Sequence, residues 1–141
     1  MNGWLLDTNV VSELRKIRPN RHVKAWSDAQ VPDSFFLSSV TLAEIRFGIE
    51  RQTTPTLREE LETWLTHRLR PWFAGRILPV DEEVILEWRR MVERGRERGV
   101  IFSQPDLFIA ATAQVHALTL CTRNERDFRR VNIQVFNPWS G

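Results

Sequence analysis

Residues 4–14, WLLDTNVVSEL, decide how the rest of this chain is read. Trp4, Leu5 and Leu6 form a short apolar run of the kind a buried strand shows. Asp7 ends that run, and a helical pattern takes over from Val10 through Leu14 to Ile17. Burying a charge beside such a run is costly unless the charge is paired or bound to a metal. Asp7 therefore either caps a helix, a task that also suits Thr8 and Asn9, or has a task at the end of a strand.

The same alternation continues outward. Pro19 to Gln30 reads as a second short helix, and Phe35-Phe36-Leu37 as a strand bounded by Pro32 and Ser38. Val40 to Arg51 is helical. Pro55 to Leu69 is a longer amphipathic helix carrying Leu57, Leu61, Trp64 and Leu65. Ile77 to Val80 is a brief strand, and Pro79 predicts a sheet edge because it has no N–H for a ladder. Asp81 caps a helix with the apolar face Val84, Ile85, Trp88, Met91 and Val92. Pro105 to Val115 is an alanine-rich helix, and Leu118–Cys121 and Ile133–Phe136 are the last strands. Strands alternating with helices predict an α/β fold, with a central, mainly parallel sheet and helices on both faces. No linker, repeat or low-complexity tract divides residues 1–141, so one domain is expected. In such sheets ligands bind outside the carboxyl ends of the strands.

Bulk properties exclude several classes. With 42% hydrophobic and 27% charged residues the chain is expected to be globular, not disordered. No apolar run approaches the ~20 residues of a membrane span. The lone Cys121 excludes an internal disulfide, and no signal-peptide pattern appears, so a cytoplasmic protein is expected. His22, His67 and His116 have no zinc-like spacing. The net charge is only +2. Arginines cluster at Arg89, Arg90, Arg94, Arg96 and Arg98, and again at Arg123, Arg126, Arg129 and Arg130. Solvated faces and phosphate contacts both account for them.

Four acids fall near predicted strand ends. Asp7 follows the first strand, and Glu44 lies early in the helix after the second. Asp106 opens the alanine-rich helix, and Asp127 follows the Leu118–Cys121 strand through TRNERDF. Each has an ordinary explanation. Glu44 forms a capping box with Thr41 in TLAE, yet it shares a stripe with Val40, Ala43 and Phe47 that would turn it inward. Asp106 suits a helix start beside Pro105, and Asp127 suits a charged surface loop. Asp81 is explained as a cap. Taken together, carboxylates brought close repel one another unless a cation lies between them. An all-oxygen set without His or Cys favours magnesium or manganese over zinc. Flanking arginines suit a polyanionic substrate.

These segments resemble PIN-domain ribonucleases of the VapC toxin type, nearest to the FitB-like branch. The resemblance rests on LLDTNVVSEL (5–14), LSSVTLAEIRFGI (37–49), FAGRILPVDE (73–82), PDLFIAATA (105–113), LCTRNERDF (120–128) and FNPW (136–139) in that order. It implies a PIN-like three-layer α/β/α fold and a magnesium- or manganese-dependent endoribonuclease. It also implies a toxin held by a cognate antitoxin, commonly dimeric, whose complex binds operator DNA through the antitoxin. It carries metal ligation to Asp7, Glu44 and Asp106. Asn9 is implied to hold Asp7, and Thr122 to lie near the metal. Many relatives have an acid where Asn124 stands; others keep asparagine there and place an acid three residues later, as Asp127 does.

The expected chemistry is hydrolysis of an RNA phosphodiester, with Asp127 completing the acidic pocket and Arg123 and Arg126 steering the backbone. A binding module without catalysis, whose acids receive antitoxin arginines, is the first alternative. An aspartyl phosphatase is disfavoured because Asn9 stands where its second acid would be. A DNA-directed nuclease of the same fold is not separated by sequence. The tryptophans fit packing or base stacking, and the helix from Arg58 to Leu69 fits an antitoxin groove or an ordinary surface.

Overall fold

A computed structural model describes residues 3–140. Among them, parallel strands lie in the order β3-β2-β1-β4-β5. These are β1 (Trp4–Leu6), β2 (Phe35–Ser38), β3 (Ile77–Leu78), β4 (Thr119–Cys121) and β5 (Val135–Phe136). The longer helices are α1 (Thr8–Arg15), α2 (Arg21–Asp28), α3 (Ser39–Glu50), α4 (Pro55–Trp64), α6 (Glu82–Glu97) and α7 (Gln104–Val115). The short helices α5 (Arg70–Trp72) and α8 (Glu125–Phe128) complete the set. The expected parallel sheet with helices on both faces is present, and β3 lies at its edge, as Pro79 requires.

Strand alternation splits the core into two layers. Leu5 and Leu6 are both fully buried but point to opposite faces of the sheet. Leu6 joins Val10 and Val11 of α1, Leu42, Ile45 and Ile49 of α3, and Phe73. Leu5 joins Val84 and Met91 of α6, Leu107 and Ala110 of α7, and Leu120. Tryptophans serve the packing. Trp4 meets Trp26 edge-on at 5.3 Å, and Trp88 stacks on Phe108 at 4.9 Å.

Several boundaries differ from the sequence expectation. α1 starts earlier, at Thr8, because Asp7 caps it, and ends at Arg15, leaving Ile17 99% exposed. The predicted 19–30 helix shortens to α2, capped by the Asn20 side chain. TLAE is not a capping box. The cap of α3 is Ser38, whose Oγ accepts the Val40 N–H at 3.0 Å, and Thr41 is buried inside the helix. α4 runs into a π-helical turn over Leu65–Leu69, where the Arg70 N–H bonds the Leu65 carbonyl. Pro71 accounts for this: it lacks an N–H, and its ring crowds the carbonyl four residues back.

α6 closes with Gly99 at φ +69°, the Gly99 N–H on the Arg96 carbonyl and the Val100 N–H on the Gly95 carbonyl. That is a Schellman end, which needs a left-handed residue. Gly99→Ala is expected to destabilise by about 1 kcal/mol. Gly48→Ala, in mid-α3 where an added Cβ touches nothing within 4 Å, should stabilise by about 0.5 kcal/mol. Thermal unfolding of the two variants, with Tm shifts of opposite sign, checks both.

Candidate active site

The register of two strands builds the site. Leu6 pairs with Cys121 across β1 and β4, so the next residues, Asp7 and Thr122, emerge side by side at the carboxyl ends. The Asp7 N–H donates to the Cys121 carbonyl at 2.9 Å, and the Thr122 N–H to the Phe136 carbonyl at 3.0 Å. β2 and β3 lie to one side of β1, and β4 and β5 to the other. The β1–β4 joint is therefore where strand order reverses, the usual place for a ligand crevice.

Asp7 is 6% exposed. Its Oδ1 accepts the Thr8 N–H at 2.8 Å, which caps α1. Its Oδ2 accepts the Thr122 hydroxyl at 2.7 Å and, more distantly, Asn9 Nδ2 at 3.5 Å. Asp7 follows β1 directly and caps α1, so the helix-cap reading holds. Asn9 ties the loops together, with Nδ2 reaching Thr122 Oγ1 at 3.3 Å and Oδ1 accepting the Arg123 N–H at 3.2 Å. Thr122 Oγ1 also accepts the Asn124 N–H at 3.0 Å. Asn124 thus supports Thr122 through its backbone. The Arg123 guanidinium lies over Trp139 at 5.1 Å, and Arg126 is exposed on α8.

Burial pushes the Asp7 carboxyl above the ordinary aspartate value. The Thr122 hydroxyl and the Thr8 N–H pull it back down, and the nearby Asp106 charge pushes it up again. Asp106 is the third residue of α7 and is half-buried. Asp127 is exposed on α8 and shares with Asp106 the lining of a cavity of about 220 Å³. Glu44 is exposed with Ala43 and Phe47, so the expected inward stripe of α3 faces solvent instead. The buried stripe is Leu42, Ile45 and Ile49.

Among the described residues, no three His, Cys, Asp or Glu side chains close into a group that could hold a metal ion. The acid whose charge acts on Asp7 is Asp106. This pair fits a hard divalent cation. Both are oxygen donors, buried Asp7 has no cationic partner among the described residues, and magnesium commonly takes one or two carboxylates plus water and phosphate. Sequence reasoning named Arg130 only within an arginine cluster and Phe128 only within LCTRNERDF, and did not name Phe102; that the three line the Asp106 cavity was missed. No sequence signal marks the cavity, because segments far apart in the chain meet there.

Thr122→Val removes the hydroxyl that supports ionised Asp7. The variant is expected to lose about 2 kcal/mol at pH 7. Its Asp7 pKa would lie higher still, so the penalty should be present where Asp7 is ionised and shrink as pH falls and Asp7 takes up a proton. Urea unfolding with chelator at pH 7 and pH 3.5 checks this; an equal penalty at both would contradict it.

The PIN domain family model matches residues 4–134. Toxin FitB of Neisseria gonorrhoeae is 38% identical over 135 residues, covering 96% of this chain and 97% of that protein. VapC ribonuclease Y4jK of Sinorhizobium fredii is 36% identical, covering 96% of each. A solved structure of FitAB bound to an IR36 DNA fragment superposes with a TM-score of 0.89 at 37% identity, covering 96% of this chain and 95% of that one. A strand-end aspartate at the switch point of a five-stranded parallel sheet, within sequence matched across almost its whole length, places the chain in one family: it belongs to the PIN domains.

Proposed function

We propose that this chain is the RNA-cleaving toxin of a toxin–antitoxin pair, acting at a divalent-metal site centred on Asp7 and Asp106. The carrying observation is the buried Asp7 carboxylate, gripped by Thr8, Thr122 and Asn9 and set beside a second acid. Relatives named as a VapC ribonuclease and a FitB toxin support the activity. The FitAB–DNA structure supports an antitoxin partner and operator DNA reached through it.

Asp7 and Asp106 would hold magnesium or manganese, with Glu44 as a third ligand supplied from the exposed face of α3. The bound cation supplies charge for the phosphate oxygens and makes water a better nucleophile at neutral pH. Asn9 and Thr122 fix the Asp7 carboxylate, a supporting shell of the kind metal sites depend on. Asp127 adds negative charge to the rim of the pocket, and Arg123 and Arg126 give sequence-blind contacts to the RNA backbone. A homodimer is part of this reading. Among the described residues, no helix is long and apolar enough to cross a membrane.

One observation favours a second reading, a chain that serves mainly as the antitoxin-binding half of a DNA-bound complex. Glu44 stands exposed, and no three-acid group closes among the described residues.

Purified, antitoxin-free chain is expected to cut total tRNA and rRNA into discrete fragments with magnesium or manganese, and not with excess chelator. Asp7→Asn and Asp106→Asn should each lower the rate by at least about 100-fold, and Asn9→Ala by about 10-fold. Metal-dependent cutting that persists in Asp106→Asn would overturn the site assignment. No cutting by folded wild type with either metal would support the binding reading.

A further inference from the structure

The cavity beside Asp106 has a composition that metal binding does not use. Leu107 and Ala110 of α7 and Phe128 of α8 give it a buried apolar lining, and Phe102 adds a half-buried ring. Asp127 and Arg130, both exposed, complete it with one negative and one positive side chain. A second cavity of about 100 Å³ shares Phe102 and Arg130 with the first and is lined by Arg94 and Arg98. Arg98 is held against this junction, its guanidinium donating to the Arg130 carbonyl at 3.1 Å.

Both cavities are bordered by charged side chains. Arg94 is paired with Glu87 at 2.9 Å. Among the described residues, Arg98 and Arg130 appear in no ion pair with a carboxylate. The apolar, aromatic space is therefore bordered by two acids, Asp106 and Asp127, and by two guanidiniums, Arg98 and Arg130, that no carboxylate neutralises among the described residues. A nucleotide has the matching parts. Unstacked RNA bases are taken up on aromatic and arginine surfaces and read on their hydrogen-bonding edges, while guanidiniums suit phosphate.

We propose that the Asp106 cavity receives one unstacked nucleobase of the RNA substrate, with Asp127 reading its edge in favour of guanine and Arg130 and Arg98 taking the adjoining phosphate. This rests on the RNA-cleaving reading above. An ionised carboxylate only accepts hydrogen bonds. Guanine presents two adjacent N–H groups, at N1 and N2, that match its two oxygens. Uracil presents one N–H between two carbonyls, which a carboxylate repels. Adenine and cytosine present one amino group beside a ring-nitrogen acceptor. Arg130 and Arg98 contact phosphate and so add affinity without base preference.

The test is equilibrium binding, by fluorescence anisotropy, of short labelled oligouridines carrying one central G, A, C or U. It is run in excess chelator, so it depends on neither metal loading nor cutting. Wild type should bind the G oligomer about tenfold more tightly than oligo-U. Asp127→Ala, at an exposed position, should erase that preference without weakening oligo-U. Arg130→Gln should weaken all four alike and flatten the salt dependence by about one in log–log slope. A wild type that binds G and U equally, or an Asp127→Ala that keeps the preference, overturns the proposal. Equal binding with metal-dependent cleavage intact sinks only the base pocket. A wild type that neither binds nor cuts RNA sinks the ribonuclease reading and the pocket with it.

Discussion

One buried carboxylate, Asp7 at the joint of β1 and β4, is the constraint around which this end of the molecule is arranged. The ladder bond from the Asp7 N–H to the Cys121 carbonyl fixes where the side chain emerges. Around it the chain assembles an acceptor-matched socket: the first N–H of α1, the Thr122 hydroxyl and, at longer range, the Asn9 amide. Those donors come from segments more than a hundred residues apart in the chain. Even so, burial outweighs them and the carboxyl stays harder to ionise than in water. A buried carboxylate under-compensated in this way is the kind of group the proposed cation would neutralise.

The second acid arrives by another route. α7 packs against the Leu5 side of the sheet and carries Asp106 in its first turn. The helix dipole favours an acid there. The cavity on the other side of Asp106 is built from the loop after α6 and from α8. The Schellman end at Gly99 turns the chain back over Gly95, where an added Cβ would meet the Val100 carbonyl at 3.0 Å and the Phe102 ring at 3.2 Å. The small residue at 95 thus decides how closely Phe102 can approach. The lone Cys121 adds nothing reactive, because burial pushes its thiol far up.

Much of this was legible in sequence because period and punctuation are local properties. WLLD marks a buried strand with an acid at its end, Pro79 marks an edge, and Asp81 caps α6 through the Val84 N–H at 3.0 Å. The sequence failed where a tertiary choice decides. Thr41 and Ser38 both suit a cap, and only the end of β2 selects Ser38. Glu44 shares helical spacing with Val40 and Phe47, but the sheet lies under the Leu42–Ile45–Ile49 stripe instead. The Phe102, Phe128 and Arg130 cavity has no sequence signature, because its walls meet only after folding.

Asp7 and Asp106 are proposed to hold one divalent cation between them. The most direct measurement is calorimetric titration of manganese into the chelator-treated chain and into its Asp106→Asn variant. Saturable binding by the wild type is expected, weakened by at least about tenfold in Asp106→Asn while the variant remains folded. Wild-type binding unchanged by that substitution, or no saturable binding at all, would contradict it.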